Sequence, residues 1–254
     1  MTNRWPTTLW VVRHGQSAGN VAREAADAAG LARIDISGRD VDVPLSALGE
    51  QQAEALGRWF RDGHEHGRAE ILLASPYRRA VQTATLFRDA GGCEADEIIC
   101  IDERLREKEF GILDGLTVSG IAATFPDQFE FRRLLGKFYH RPPGGESWVD
   151  VILRLRSVLD TIALHYADRR VMIVAHQVVV LCLRYIIENL GEAEILAIDK
   201  AGDVANCSVT EYRFDPSLGK HGNLALARYN VTAPMDVSDT PVTSAESMPM
   251  AARG

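Results

Sequence analysis

Short, uninterrupted apolar runs recur along the chain, and each ends in polar or charged side chains. Thr8-Leu9-Trp10-Val11-Val12 breaks at Arg13-His14-Gly15, Ile71-Leu72-Leu73-Ala74 at Ser75-Pro76, and Val171-Met172-Ile173-Val174-Ala175 at His176. Ile98 to Ile101 is a fourth run of this kind. Runs without alternation predict strands covered on both faces. Between them, apolar positions return at helical spacing. Ser46 can cap a helix through Arg61 that carries Leu48, Ala55, Leu56, Trp59 and Phe60. Pro76 suits the first turn of a helix reaching about Ala90, and Ser147 to Tyr166 repeats Val151, Leu155, Val158, Leu159, Ile162 and Leu164. Gln177 to Asn189 follows the third run at once, with Gly191 as its stop. Ala22 to Ala29 reads as a helix, Asp35 to Asp42 as a loop, and Thr117 to Lys137 as shorter helices around Pro126. Val209 to Phe214 and Leu224 to Tyr229 predict a late antiparallel pair.

Alternation of buried strands with helices predicts an α/β fold: a three-layer α/β/α sandwich around a mostly parallel central sheet. One domain is expected over residues 1–231, with a helical subregion inserted at about 117–141. From Thr232 to Gly254, Pro, Ser, Thr, Ala and Met dominate without periodicity, which predicts a disordered tail.

Composition narrows the function classes. With 28 basic against 35 acidic side chains, the net charge is −7, and no basic run is present, so no nucleic-acid partner is expected. No apolar stretch approaches the roughly 20 residues of a membrane span, and the short run before Arg13 is too brief for a signal peptide. Cys93, Cys100, Cys182 and Cys207 form no CxxC pair, so idle thiols in a cytoplasmic protein are expected. There is no GxxxxGK(S/T) loop and no GxGxxG after a strand, which disfavours nucleoside triphosphate and dinucleotide chemistry.

The chemistry concentrates where the strands end. Ligands in open α/β sheets bind outside the carboxyl ends of the strands. Arg13, His14, Arg79 and His176 gathered there would form a cationic pocket, and the planar fork of arginine suits phosphate. Each signal alone is weak, since a strand-end histidine is more often structural and Arg79 could be a solvated helix charge. His64-Glu65-His66 looks like a metal pair but lacks further ligands, and a solvated loop is the simpler reading. His140, His165 and His221 read as surface residues.

Together the segments resemble the histidine phosphatase superfamily, also called the phosphoglycerate mutase-like family. Arg13 to Asn20 is similar to its R-H-G-(E/Q)-S-x-x-N signature, and Ser75 to Thr83 to S-P-x-x-R-A-x-Q-T. Asp42-Val43-Pro44-Leu45-Ser46 with Gly49 and Gln52-Ala53, then Leu105-Arg106-Glu107 with Gly111 and Gly115, then Gly145-Glu146-Ser147, follow in the family's order. The resemblance implies a phosphatase acting on phosphate monoesters, sugar phosphates or bisphosphates among them, through a phosphohistidine. His14 is the implied nucleophile. Gly15 would allow a sharp turn and fix the ring through its carbonyl. Arg13, Arg79 and His176 would hold the phosphoryl oxygens, with Asn20 and Gln177 adding hydrogen bonds. Glu107 is the implied general acid, with Glu109 as its rival. No metal and no cofactor are implied, and the implied partner is a small phosphate ester, with a homodimer as the assembly to test.

Ala175-His176-Gln177-Val178-Val179 resembles the fructose-2,6-bisphosphatase branch, as does Phe125 to Phe129 followed by Arg132, Lys137 and Tyr139. Arg132 and Lys137 are therefore expected to bind the leaving group. Val118 and Leu181 depart from that branch, which has Tyr and Arg there. A cofactor-dependent phosphoglycerate mutase is the alternative, although Gln177 stands where the mutases have Gly-Asn-Ser after the histidine. A non-catalytic phosphate-binding module is a remote third reading, because all the implied catalytic positions are filled.

Overall fold

In the computed structural model, residues 4–63, 67–94 and 98–244 are described. Six strands, β1 (Thr8–Arg13), β2 (Ile71–Ala74), β3 (Ile99–Ile101), β4 (Arg170–Ala175), β5 (Val209–Asp215) and β6 (Asn223–Val231), form one sheet in the order β3-β2-β4-β1-β5-β6. β3, β2, β4 and β1 run parallel, and β5 pairs antiparallel with both β1 and β6. The register Leu9↔Val171 through Arg13↔Ala175 brings the polar ends of β1 and β4 level with each other.

Nine helices are described: α1 (Ala18–Ala28), α2 (Ala47–Arg61), α3 (Arg78–Phe87), α4 (Val118–Thr124), α5 (Pro126–Tyr139), α6 (Trp148–His165), α7 (Gln177–Ile187), α8 (Glu192–Ala201) and α9 (Ala233–Val237). They make the two outer layers. Leu9, Val11, Val171 and Ile173 face α6 and α7, while Trp10, Val12, Met172 and Val174 face α2 and α3. Period-two alternation on strands apolar at every position is what two covered faces demand. Trp10 meets Phe60 of α2 edge to face at 5.0 Å between centroids.

Several boundaries differ from expectation for local physical reasons. α1 starts at Ala18 rather than Ala22, because Ser17 and Asn20 close a capping box. α3 starts at Arg78, after Pro76, because the Tyr77 N–H turns back onto Ser75 Oγ and the Tyr77 ring packs on His176. α5 ends its regular part at Gly136, whose φ is +76°. α8 has no counterpart in the sequence reading.

The expected disordered tail is corrected for residues 232–244. They include α9, whose Met235 is fully buried against the α2 layer. Gln52 Nε2 donates to the Pro241 carbonyl and to Thr243 Oγ1, both at 2.9 Å. Composition hid this because buried Pro234 and Met235 and the hydrogen bonds to Gln52 and Asn206 anchor the segment without any periodic face. His140, read as a surface residue, is also corrected: it is 2% exposed. The His64-Glu65-His66 group lies outside the described residues. Among the described residues no helix is long and apolar enough to cross a membrane.

Candidate active site

The carboxyl ends of β1 and β2 lead into one pocket, whereas His176 and Gln177, after β4, are buried and are not among its lining residues. Arg13, His14, Asn20, Arg79 and Glu107 line it, together with Arg23, Asp40, Asp114 and an apolar wall of Ile34, Ile36, Val43, Phe110 and Leu113. His14 is buried, and its Nδ1 lies 2.7 Å from the Gly15 carbonyl oxygen. A carbonyl only accepts, so the proton sits on Nδ1 and the lone pair on Nε2. That lone pair accepts from Arg79 Nε at 3.2 Å. Burial, with the Arg79 and Arg13 charges adding to it, holds the His14 imidazole well below its ordinary range. It is therefore neutral.

The loop around His14 is fixed from distant elements. Thr83 Oγ1 accepts from the Gly15 N–H at 3.0 Å, Gln52 Oε1 accepts from the Gln16 N–H at 2.9 Å, and Asn206 Nδ2 donates to the His14 carbonyl at 2.9 Å. Gly15 is needed for close approach rather than for a special turn. A Cβ there would lie 2.4 Å from the Gly49 carbonyl oxygen at the start of α2.

Arg13 donates to Gln177 Oε1 at 3.0 Å and to the Val204 carbonyl. Gln177 thus touches Arg13, and its own amide donates to Asp203 at 3.3 Å. His176 is fully buried, with its ring centroid 5.1 Å from that of His14. Its Nε2 pairs with Ser75 Oγ at 2.7 Å, and its Nδ1 has no hydrogen-bond partner among the described residues. Burial first, then Arg79, keeps this imidazole well below its ordinary range. Asn20 Oδ1 accepts from the Ser17 N–H and hydroxyl, which places the Asn20 amide on the pocket wall.

Arg79 is engaged at all three of its guanidinium nitrogens. Beyond His14, its Nη1 donates to the Asp40 carbonyl (2.7 Å) and to Oδ1 (3.0 Å), and Nη2 donates to Oδ2 (3.0 Å). Asp40 went unnoticed in the sequence because it lies 39 residues away, in a stretch readable only as loop.

Glu107 is 3% exposed and lines the pocket. Burial raises its carboxyl to about 6, helped by Asp40 and opposed by Arg79, Arg154 and the Lys108 N–H. Glu109 instead accepts from the Tyr77 hydroxyl at 2.9 Å and does not line the pocket. Arg154 holds the Glu107 turn by donating to the carbonyls of Arg104 and Glu107, while Glu146 grips Arg154 and Arg106. Glu146 belongs to the Gly145-Glu146-Ser147 motif, whereas Arg154 lies on α6, where the sequence pattern signals only packing.

Arg132 and Lys137 do not line the pocket. Lys137 is buried, and its Nζ pairs with Asp199 Oδ2 at 2.6 Å, tying α5 to α8, so the expectation that it reaches the leaving group is corrected. Arg132 stands near Lys108 and His140. Burial draws the Lys108 ammonium down to about 8 and His140 to about 4, with Arg132 adding to both effects.

Residues 9–224 match the histidine phosphatase superfamily (branch 1). A probable phosphoglycerate mutase GpmB of Erwinia tasmaniensis is 32% identical over 171 residues, 66% of this chain and 68% of that protein. The bifunctional protein Rv2228c of Mycobacterium tuberculosis is 28% identical over 83% of this chain, which spans about half (51%) of that protein's length. The solved mycobacterial glucosyl-3-phosphoglycerate phosphatase Rv2419c, in its complex with VO3, superposes with a TM-score of 0.67 at 27% identity, covering 89% of this chain and 100% of that one.

Proposed function

The chain belongs to the histidine phosphatase superfamily, and from that premise we propose that it hydrolyses phosphate monoesters through a phosphohistidine on His14. The observation that carries this reading is the orientation of His14. Its Nδ1–H is held by the Gly15 carbonyl, which leaves the lone pair on Nε2, and this lone pair accepts from Arg79 Nε at 3.2 Å, a contact that opens when Nε2 turns to phosphorus. A neutral, oriented imidazole is what nucleophilic attack on phosphorus requires.

In the proposed reaction Arg13, Arg79, His176 and Asn20 hold the phosphoryl oxygens, where transition-state charge accumulates. A Ser75 hydroxyl donating to His176 Nε2 leaves the proton on Nδ1, available to an oxygen. His14 Nε2 attacks phosphorus, the ester P–O bond breaks, and Glu107 gives its proton to the departing alkoxide. Glu107 then takes a proton from water as the water oxygen displaces His14 from phosphorus. Gln177 acts by orienting Arg13. Arg132 is retained as a contact for the leaving group, with Lys108 and His140 beside it.

The likeness to a probable phosphoglycerate mutase favours a second reading, transfer of the phosphoryl group to an acceptor rather than to water. A panel of phosphate esters, assayed with and without 2,3-bisphosphoglycerate, separates the two. Release of inorganic phosphate without it, undiminished by a chelator, is the expected result. Activity that disappears in chelator and returns only with a divalent ion would contradict it. The free thiols fit a reducing compartment, so we assign the protein to the cytoplasm, working without a nucleic-acid partner. A homodimer is the assembly to test by sedimentation.

A further inference from the structure

Each of the three guanidinium nitrogens of Arg79 already donates within the protein. Nε is on His14 Nε2, Nη1 is on the Asp40 carbonyl and Oδ1, and Nη2 is on Asp40 Oδ2. Four of the five N–H groups are thus engaged, so a phosphoryl group can meet the remaining Nη2 N–H directly but can take the paired Nη1–Nη2 fork, which suits carboxylate and phosphate alike, only from the Asp40 carboxylate. The two partners differ sharply in exposure. The Arg79 side chain is 6% exposed and the Asp40 side chain 39%, so the cation is fixed inside while the anion stands at the pocket mouth. Asp40 also sits on a three-residue 3-10 turn, Asp40–Asp42, just after Gly38 at φ +94°.

We propose that Asp40 is a positioning residue that the phosphoryl group displaces: its carboxylate holds the Arg79 fork between turnovers, and ester binding and phosphate release proceed by exchange of one anion for the other on Arg79. The inference rests on the reading of Arg79 as a phosphoryl holder. A buried guanidinium without an anion is unfavourable, so Asp40 keeps Arg79 in place beside His14 when no ester is bound. The same competition weakens the hold on inorganic phosphate and speeds its departure. Asp40 also adds a negative charge near Glu107, where Arg79, Arg154 and Lys108 supply the opposing positive groups and Tyr77 is a further titratable neighbour.

Two readouts separate this from a merely structural role. The first is calorimetric binding of inorganic phosphate to the full chain, which needs no turnover. Asp40→Asn should bind phosphate on the order of tenfold tighter than the wild type, because the amide carries no competing charge. Asp40→Ser should do the same, and it keeps the test alive if the amide disturbs folding. Asp42→Asn, which removes only an exposed partner of Arg39, should bind as the wild type does. The second readout is the alkaline limb of kcat/KM for an alkyl phosphate. It should move to lower pH in Asp40→Asn and stay in place in Asp42→Asn, since a neighbouring negative charge no longer raises Glu107. Equal or weaker phosphate binding in both Asp40 variants, with p-nitrophenyl phosphate still hydrolysed by the wild type, would overturn the exchange alone. No phosphate binding and no hydrolysis in any of the proteins would overturn the reading of Arg79 beneath it.

Discussion

An imidazole attacks phosphorus only through an unprotonated nitrogen, and a carboxyl protonates a leaving alkoxide only while it still holds its proton. Burial serves both needs, because it disfavours the charged form of each group. It lowers His14 and raises Glu107 to about 6. The active form, neutral His14 with protonated Glu107, therefore exists from well below pH 6.5 up to about pH 6. For an alkyl phosphate, kcat/KM should fall as pH rises through about 6 and should not fall on the acid side until well below the ordinary histidine range. Glu107→Gln should remove the alkaline limb and cost at least about a hundredfold on an alkyl phosphate. It should cost far less on p-nitrophenyl phosphate, whose leaving group needs little protonation. An equal loss on both esters would reject Glu107 as the acid. Arg79→Ala removes a charged transition-state contact, with an expected cost of about 3 kcal/mol, or roughly a hundredfold in rate, measured on either ester. That Arg13, His14, Arg79 and Glu107 would share one pocket, with His176 packed against His14, was legible because each sits in a local motif. Asp40, Ser75 and Asn206 were not legible in these roles. Their partners lie 39, 101 and 192 residues away along the chain, and no local pattern records such contacts.

β1, β2 and β4 were legible as elements because burial on both faces leaves unbroken apolar runs, whereas β3, expected to be covered likewise, is an edge strand with Cys100 and Ile101 exposed; α2 and α6 were legible because their serine caps precede periodic faces. The ends were less so. Pro76 reads as a helix opener, yet the Ser75–Tyr77 turn and the packing of Tyr77 on His176 hold the chain extended for two more residues. The segment after Thr232 shows what composition misses. Met235 fills a fully buried position, and Thr243 joins two of the groups that fix the nucleophile loop. Its Oγ1 accepts from Gln52 and donates to Asn206 at 3.0 Å; Gln52 in turn holds the Gln16 N–H, and Asn206 the His14 carbonyl. Removing residues 232–254 should therefore lower both the melting temperature and kcat/KM. Met235→Ala, which opens a cavity and leaves the Thr243 contacts in place, should cost about 2–5 kcal/mol of stability in denaturant titrations, with a smaller effect on rate. A truncated chain that melts and turns over like the full one would show that the docked segment contributes to neither.

At the scale of the whole molecule, four parallel strands present their carboxyl ends at one edge, and the three central ones each deliver a part of the site. β1 brings Arg13 and His14, β2 leads through Ser75 to Arg79, and β4 brings His176. The layered class follows from the hydrophobic pattern alone. The strand order does not, because β2 and β1 each reach β4 only through long crossovers whose ends carry no sequence mark. The fold thus gathers Arg13, Arg23 and Arg79 into one pocket, with Asp40 and Asp114 on its wall, in a chain whose net charge is −7. Its central claim is that His14 carries the phosphoryl group. Rapid acid-free quenching of the enzyme during turnover of a phosphate ester, followed by peptide mapping by mass spectrometry, tests this most directly. An acid-labile phosphoryl group should appear on His14, vanish in His14→Ala, and form more slowly at the same position in His176→Ala. A phosphoryl group found on His176, or turnover by the His14→Ala protein at the wild-type rate, would contradict the account.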